Sequence, residues 1–117
     1  MSEAAEFLLP AGVDRAQPTL DEVMEAVLNY YKNVDRAQML SQSRERAIAL
    51  PRQVAMYIMR EDTGSSLPRI GDYLGGRDHT TVMHGCEKIA EELKQENVQL
   101  RKDILAIRNA LYEPHDR

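Results

Sequence analysis

The sequence predicts an all-α protein, a bundle of five to six helices that contains a helix-turn-helix, and three observations carry that expectation. Apolar residues recur at i, i+3, i+4 and i+7 along most of the chain. Helix-start residues stand in front of these runs, and glycine or proline closes them. No segment alternates apolar and polar residues with the period of two that a half-buried strand needs. With 117 residues the chain has room for one domain and a single modest core.

Residues 1–18 contain Pro10, Gly12 and Pro18, with Phe7-Leu8-Leu9 as a brief apolar cluster. They read as a linker or tail with room for one helical turn. Residues 19–112 are expected to form the bundle and 113–117 a C-terminal tail. Thr19-Leu20-Asp21-Glu22 fits a capping box, Thr19 as cap and Glu22 reaching back. Leu20, Val23, Met24, Val27, Leu28 and Tyr31 then follow the stripe of an amphipathic helix.

Asp35 is placed to cap a short second helix bearing Met39 and Leu40, and Ser41 to Arg46 is polar and reads as a loop. Pro51 suits the first position of a third helix, which would run to the region of Asp62, bury Val54, Ala55, Ile58 and Met59, and stop at Gly64. Ser66 caps a short helix through Leu74, with Leu67, Ile70 and Leu74 at helical spacing. After Asn97 a last helix carries Leu100, Ile104, Ile107 and Leu111, and Pro114 ends it.

Between the last two of these lies Gly75-Gly76-Arg77-Asp78-His79-Thr80-Thr81-Val82. Two glycines can end a helix and reverse the chain at little steric cost, and Asp78 then offers its carboxylate to the amides of the next helix. From Thr81 onward the chain reads as helix. Cys86, Ile89 and Leu93 fall within about 40° of Val82 on a helical wheel, which makes one narrow apolar stripe. Thr80, His84, Glu87 and Glu91 fall opposite. Only the first turn of that face lacks acid, so a polyanion would be met by the helix end rather than by its length. Short helix, glycine turn and longer capped helix together form a helix-turn-helix pattern, which two packed helices of an ordinary bundle also produce.

The formal net charge of −4 argues against a broadly basic surface. Residues 41–86 nevertheless hold six bases against five acids, and all six are arginine: Arg44, Arg46, Arg52, Arg60, Arg69 and Arg77. Arginine suits bidentate contacts to phosphate and guanine, although solvated surface arginines would look the same. No apolar run approaches the length of a membrane span, and Met1 to Pro10 lacks the pattern of a signal peptide, so a soluble, cytoplasmic protein is expected. The single Cys86 lies in the apolar stripe and is read as packing.

Metal binding by His79, His84 and Cys86 is disfavoured, because His84 lies away from the other two around the helix and no second Cys or His pair completes a tetrahedral set. Catalysis is disfavoured too. Asp78 and His79, adjacent at a helix start, cannot form the base and orienter geometry of a triad.

The string Arg77-Asp78-His79-Thr80-Thr81-Val82, with Gly75-Gly76 before it and Lys88-Ile89 after it, resembles the signature of the C-terminal DNA-binding domain of DnaA, the bacterial chromosomal replication initiator. Tyr30-Tyr31, Pro51-Arg52-Gln53 and Ser66-Leu67-Pro68-Arg69-Ile70-Gly71 extend the resemblance over residues 18–112. It implies a Trp-repressor-like helix-turn-helix that binds double-stranded DNA at short asymmetric A·T-rich boxes of a replication origin. By the same resemblance Asp78, His79 and Thr80 reach base edges in the major groove. Their chemistry agrees: a carboxylate accepts from cytosine N4, an imidazole donates or accepts, and a threonine methyl packs on a thymine methyl. Arg44 corresponds to a loop arginine that enters the adjacent minor groove, where narrow A·T-rich tracts attract it.

The resemblance also implies phosphate contacts by Arg52, Gln53, Arg60, Arg77, Thr81 and Lys88. Leu67 and Pro68 correspond to a turn against the groove wall, and a core leucine with a helix-start proline explains that pair equally well. Gln42, Ser43 and Leu50 stand where the family is often more basic, which implies a shallower salt dependence with box preference kept. Initiators of this kind carry an ATPase module ahead of the DNA-binding domain, whereas this chain has no G-x-x-x-x-G-K-[ST] loop. No cofactor is expected here, and ATP only where such a module precedes the chain in a longer protein. An excised domain, monomeric in isolation and nucleoid-associated, is the favoured expectation. The alternatives are a stand-alone helix-turn-helix regulator, which would dimerise on a palindrome and leave an apolar patch outside the core, for instance on residues 100–111, and a purely protein-binding helical bundle, which would show no salt-dependent DNA affinity.

Overall fold

A computed structural model describes residues 17–113. The expected tail over residues 1–16, its cluster at Phe7-Leu8-Leu9, and the stop at Pro114 lie outside the described residues. The described residues form six helices: α1 Leu20–Tyr30, α2 Arg36–Leu40, α3 Arg46–Thr63, α4 Leu67–Tyr73, α5 His79–Lys94 and α6 Val98–Tyr112. None is long and apolar enough to cross a membrane.

The start signals act as their chemistry requires. At α1, Thr19 Oγ1 accepts from the Glu22 amide at 3.0 Å and Glu22 Oε1 accepts from the Thr19 amide at 2.9 Å. Asp35 and Gln38 form the same reciprocal pair at α2. Ser66, Asp78 and Asn97 cap α4, α5 and α6. Gly64 ends α3 in the left-handed conformation at φ 75°.

One helix start differs from expectation. α3 begins at Arg46, and Pro51 lies inside it rather than at its first position. The extra turn forms because Ile48 is buried on the bundle side and the Glu45 carbonyl takes the amides of both Ile48 and Ala49. Proline has no amide to return to the carbonyl four residues back, so the helix forgoes one bond there. Burial of Ile48 and Pro51 outweighs that loss. α5 also begins two residues earlier than expected, at His79, directly after its cap.

α3 is the axis of the bundle: α1, α2, α4 and α5 pack on it, and α6 closes the far side against α1 and α5. The core is one cluster in which Val23, Met24, Val27, Met39, Val54, Ala55, Ile58, Met59, Ile70, Leu74 and Val82 are fully buried. Two polar nodes fasten α6. Asp103 is buried and accepts from the hydroxyls of Tyr30 at 2.5 Å and Tyr31 at 3.0 Å, and from Gln99 at 2.8 Å. Burial, and then the Asp103 carboxylate, push the Tyr31 phenol well above its ordinary range. Asp62 on α3 receives a two-pronged Arg108 at 2.7 and 3.0 Å and the Tyr112 hydroxyl at 3.0 Å.

The turn between α4 and α5 is built on Gly71. Its carbonyl accepts from the amides of Leu74, Gly76 and Arg77 at 3.2, 3.0 and 2.9 Å. Gly75 and Gly76 supply the left-handed backbone, at φ 84° and 83°, that folds the chain back to reach it. A Cβ on Gly71 would stand 1.9 Å from the Arg77 carbonyl oxygen, so no other residue fits without moving the turn. Gly71→Ala is expected to lower unfolding free energy by about 3 kcal/mol, the upper range for overpacking at a rigid backbone contact. Urea denaturation followed by circular dichroism checks this, and a loss under about 1 kcal/mol would show that the turn can shift freely.

Candidate nucleic-acid interface

The first turn of α5 projects from the bundle. Asp78 Oδ1 accepts from the Thr81 amide at 2.9 Å, and that bond, followed by the Thr81 hydroxyl, holds the Asp78 carboxyl below the usual carboxylate range. His79, Thr80 and Thr81 are exposed beside it. Behind them Val82, Cys86 and Ile89 are buried, Leu93 is half-buried, and Thr80, His84, Glu87 and Glu91 are exposed on the outer face. The tip is thus the acid-free part of that face apart from the cap itself. Anything polyanionic approaching α5 meets its end before its flank.

Arg44 lies in the loop from Ser41 to Glu45, is exposed, and makes no hydrogen bond or ion pair among the described residues. That loop rests on the helix-turn-helix. An Arg77 Nη donates to the Ser41 carbonyl, and a Cβ on Gly75 would stand 2.5 Å from the Leu40 carbonyl oxygen. The Arg44 loop and the turn leading to Asp78 therefore share one end of the molecule.

Arg52, expected at a phosphate, gives its guanidinium protons to the protein's own backbone in this structure. It is 5% exposed, and its guanidinium donates from Nε to Met39 O at 2.9 Å, from Nη1 to Ser43 O at 2.9 Å, and from Nη2 to Gln38 O at 3.0 Å and Ser41 O at 3.1 Å. Burial, and then the nearby Arg77 cation, lower its pKa. Arg77 is half-buried and likewise turned inward, donating to Leu74 O at 2.6 Å as well as to Ser41 O. Both arginines stand at a helix or turn that faces the loop, and carbonyls at the end of α2 and in the loop, at Gln38, Met39, Ser41 and Ser43, take their protons. No sequence spacing distinguishes such an arginine from one aimed at phosphate.

The remaining expected backbone contacts separate into two places. Gln53, Arg77, Thr81 and Lys88 line one open groove between α3 and α5, together with Ala49, Arg52, Met56, His84 and Gly85. Lys88 also pairs with Glu92 at 3.6 Å, a solvent-exposed contact of the kind that contributes little. Arg60 is exposed but belongs to a neighbouring hollow with Tyr57, Glu61, Leu67 and Glu87. Leu67 is half-buried and packs against the core, and Pro68 is exposed at the second position of α4.

Two groove residues were given no role by the sequence. His84 sits three residues after Thr81 and four before Lys88, a spacing that places it on their flank of the helix. Gly85 permits α3 and α5 to approach, since a Cβ there would stand 2.5 Å from Met56 Sδ. Cys86 is buried with its Sγ donating to Met56 O at 3.4 Å, and burial pushes the thiol up to about 11. Among the described residues no three His, Cys, Asp or Glu side chains converge as metal ligands.

Comparison with known proteins gives the family. Residues 20–89, which run from α1 to the middle of α5, match the family model described as the bacterial dnaA protein helix-turn-helix. The chain is 50% identical over 99 residues to the chromosomal replication initiator protein DnaA of Thermomicrobium roseum, covering 85% of this chain and 21% of that protein. It is 45% identical over 97 residues to the DnaA of Chloroflexus aurantiacus and 47% identical over 97 residues to that of Roseiflexus castenholzii, covering 83% of this chain and 20% of each relative. The chain thus spans about one fifth of the length of the relatives it matches. On the strength of its helices, its turn and these matches, the chain belongs to the bacterial DnaA helix-turn-helix family.

Proposed function

We propose that this chain binds double-stranded DNA sequence-specifically, at short asymmetric A·T-rich boxes of a replication origin, as the origin-recognition domain of a longer initiator. The observation that carries the reading is the exposed, capped tip of α5, with Asp78, His79 and Thr80 presented together and the Arg44 loop fastened to the same turn. The tip enters the major groove end-on and Arg44 enters the adjoining minor groove. Gln53, Thr81 and Lys88 meet phosphates from the α3–α5 groove, and Arg60 meets them from the hollow beside it. Pro68 and the open side of Leu67 lie against the groove wall.

In this reading the chain is not an enzyme and needs no cofactor, and ATP belongs to a module that would precede it. It is monomeric in isolation and nucleoid-associated. A stand-alone dimeric regulator would instead select a palindrome. The large apolar residues left exposed on α6 are Val98, Leu105 and Tyr112, and the Tyr112 hydroxyl is already tied to Asp62. Selection of bound sequences from a random duplex pool decides between the two. An asymmetric A·T-rich consensus is expected, and a palindrome bound by a dimer would reject the proposal.

Single substitutions test the roles. His79→Ala is expected to weaken binding to the selected box about tenfold or more and to leave random duplex within about twofold, because base contacts specify while phosphate contacts hold. Equal losses on both DNAs would remove His79 from the base-reading set. Asp78→Asn keeps a good helix cap, so unfolding free energy should stay within about 0.5 kcal/mol, while Asp78→Ala should lose about 1 kcal/mol. If Asp78 also reads a base, the Asn variant still shifts the selected sequence. Fluorescence anisotropy beside thermal melts separates the two functions of this carboxylate.

A further inference from the structure

We propose that Arg52 and Arg77 are positioning residues for the minor-groove reader, fastening the loop from Ser41 to Glu45 to the helix-turn-helix and thereby fixing where Arg44 stands relative to the tip of α5. This rests on the DNA-binding reading above and adds to it a device that joins the two grooves. The loop has little structure of its own. Its internal bonds are short side-chain turns, from the Ser43 amide to Ser41 Oγ and from the Glu45 amide to Ser43 Oγ, both at 3.2 Å. What surrounds it is arginine: Arg52 engages the carbonyls of Gln38, Met39, Ser41 and Ser43 with one planar fork, and Arg77 takes the Ser41 carbonyl from the opposite element.

The geometry is specific to a guanidinium. Its donors diverge in a plane and reach carbonyls on both sides of Ser41, whereas the three protons of a lysine ammonium issue from one point. Neither arginine has a carboxylate partner in the described structure, so the pair is held by carbonyl dipoles alone. Ser41 O is the shared atom: one of its protons comes from α3 and the other from the turn that precedes Asp78. Arg44 stands three residues from that atom, so its placement is tied by a short path to the elements that place His79. A loop set in place before DNA arrives loses less freedom on binding than one ordered by the DNA.

The test compares wild type with Arg52→Met, Arg52→Lys and Arg77→Met, each confirmed helical by circular dichroism, by two readouts. The first is the rate of tryptic cleavage after Arg44 under native conditions. The second is affinity for the selected box and for its single-base-pair variants, measured with and without Arg44→Ala in the same chain. All three substitutions are expected to speed cleavage in the loop about tenfold while the bundle stays resistant. They should also erase preference at the base pairs whose reading Arg44→Ala erases, keep preference where His79 is read, and add no further loss in the Arg44→Ala background. Unchanged cleavage, or losses additive with Arg44→Ala, would overturn the proposal. So would a uniform loss on every duplex in Arg52→Met that Arg52→Lys restores with the wild-type salt slope, since a point charge suffices for phosphate. Should the Arg52 variants fail to fold, the half-buried Arg77→Met decides by the same criteria. A wild-type domain that selects no sequence would instead overturn the DNA reading and the positioning role with it, and the cleavage arm would then report only whether the arginines hold the loop.

Discussion

The carbonyl of Gly71 receives three amide protons within one turn of chain, and the rest of the interface depends on that convergence. It forces the backbone after α4 to double back through two left-handed glycines, which brings Asp78 to the position where its carboxylate meets the Thr81 amide. The α5 axis is thereby fixed relative to α4 with no room for a side chain at the crossing. Because the buried stripe of α5 begins only at Val82, the residues between cap and core are free to project. A Cβ at position 71 would force this turn, and the tip that follows it, to shift. Polar tip and apolar stripe are consequences of one backbone hydrogen-bonding pattern.

The acidic balance of the chain becomes intelligible once the acids are placed. Asp62 and Asp103 act inside the bundle as acceptors for Arg108, Tyr112, Tyr30 and Tyr31. Asp21 and Glu25 join Arg36 and Tyr73 in a network across α1, α2 and α4. Glu87 and Glu91 line the outer flank of α5, beyond the tip. Repulsion from these groups falls away over about a Debye length, near 10 Å at moderate salt, so they disfavour a lengthwise approach of DNA more than an end-on one. On the proposed reading a net charge of −4 therefore selects a docking geometry more than it opposes docking.

Most of the fold was legible because its signals are local. A cap, a stripe at helical spacing or a glycine at a helix end acts within a few residues, and Thr19, Asp35, Ser66, Asp78, Asn97 and Gly64 all behave as their neighbours in sequence imply. What local signals could not supply was the tertiary environment. Pro51 looked like a helix start because its missing amide is harmless there, and only the burial of Ile48 explains why the helix reaches back to Arg46. The stripe that located the core could not show that Gly85 sits at the closest approach of α3 and α5, since a glycine in a helix carries no signal of its own. For the site, the exposed tip followed from the stripe, whereas the inward turn of Arg52 depends on carbonyls at least nine residues away in the chain.

That distinction alters how the arginines of the central segment should be weighed. Arg44, Arg46, Arg60 and Arg69 are exposed, but Arg52 and Arg77 deliver their protons to the protein's own backbone. Each phosphate neutralised contributes to a salt slope of about −0.9 per contact, so fewer outward cations mean weaker attraction to duplex of any sequence. Contacts to base edges are short-ranged and are lost with a single wrong base pair, at about 1–3 kcal/mol each. On the proposed reading, committing two guanidinium groups to the framework lowers non-specific affinity and, by holding the Arg44 loop in place, supports the specific contacts. The ratio between the two affinities decides whether a protein finds its sites among many competitors, and that ratio rises from both directions.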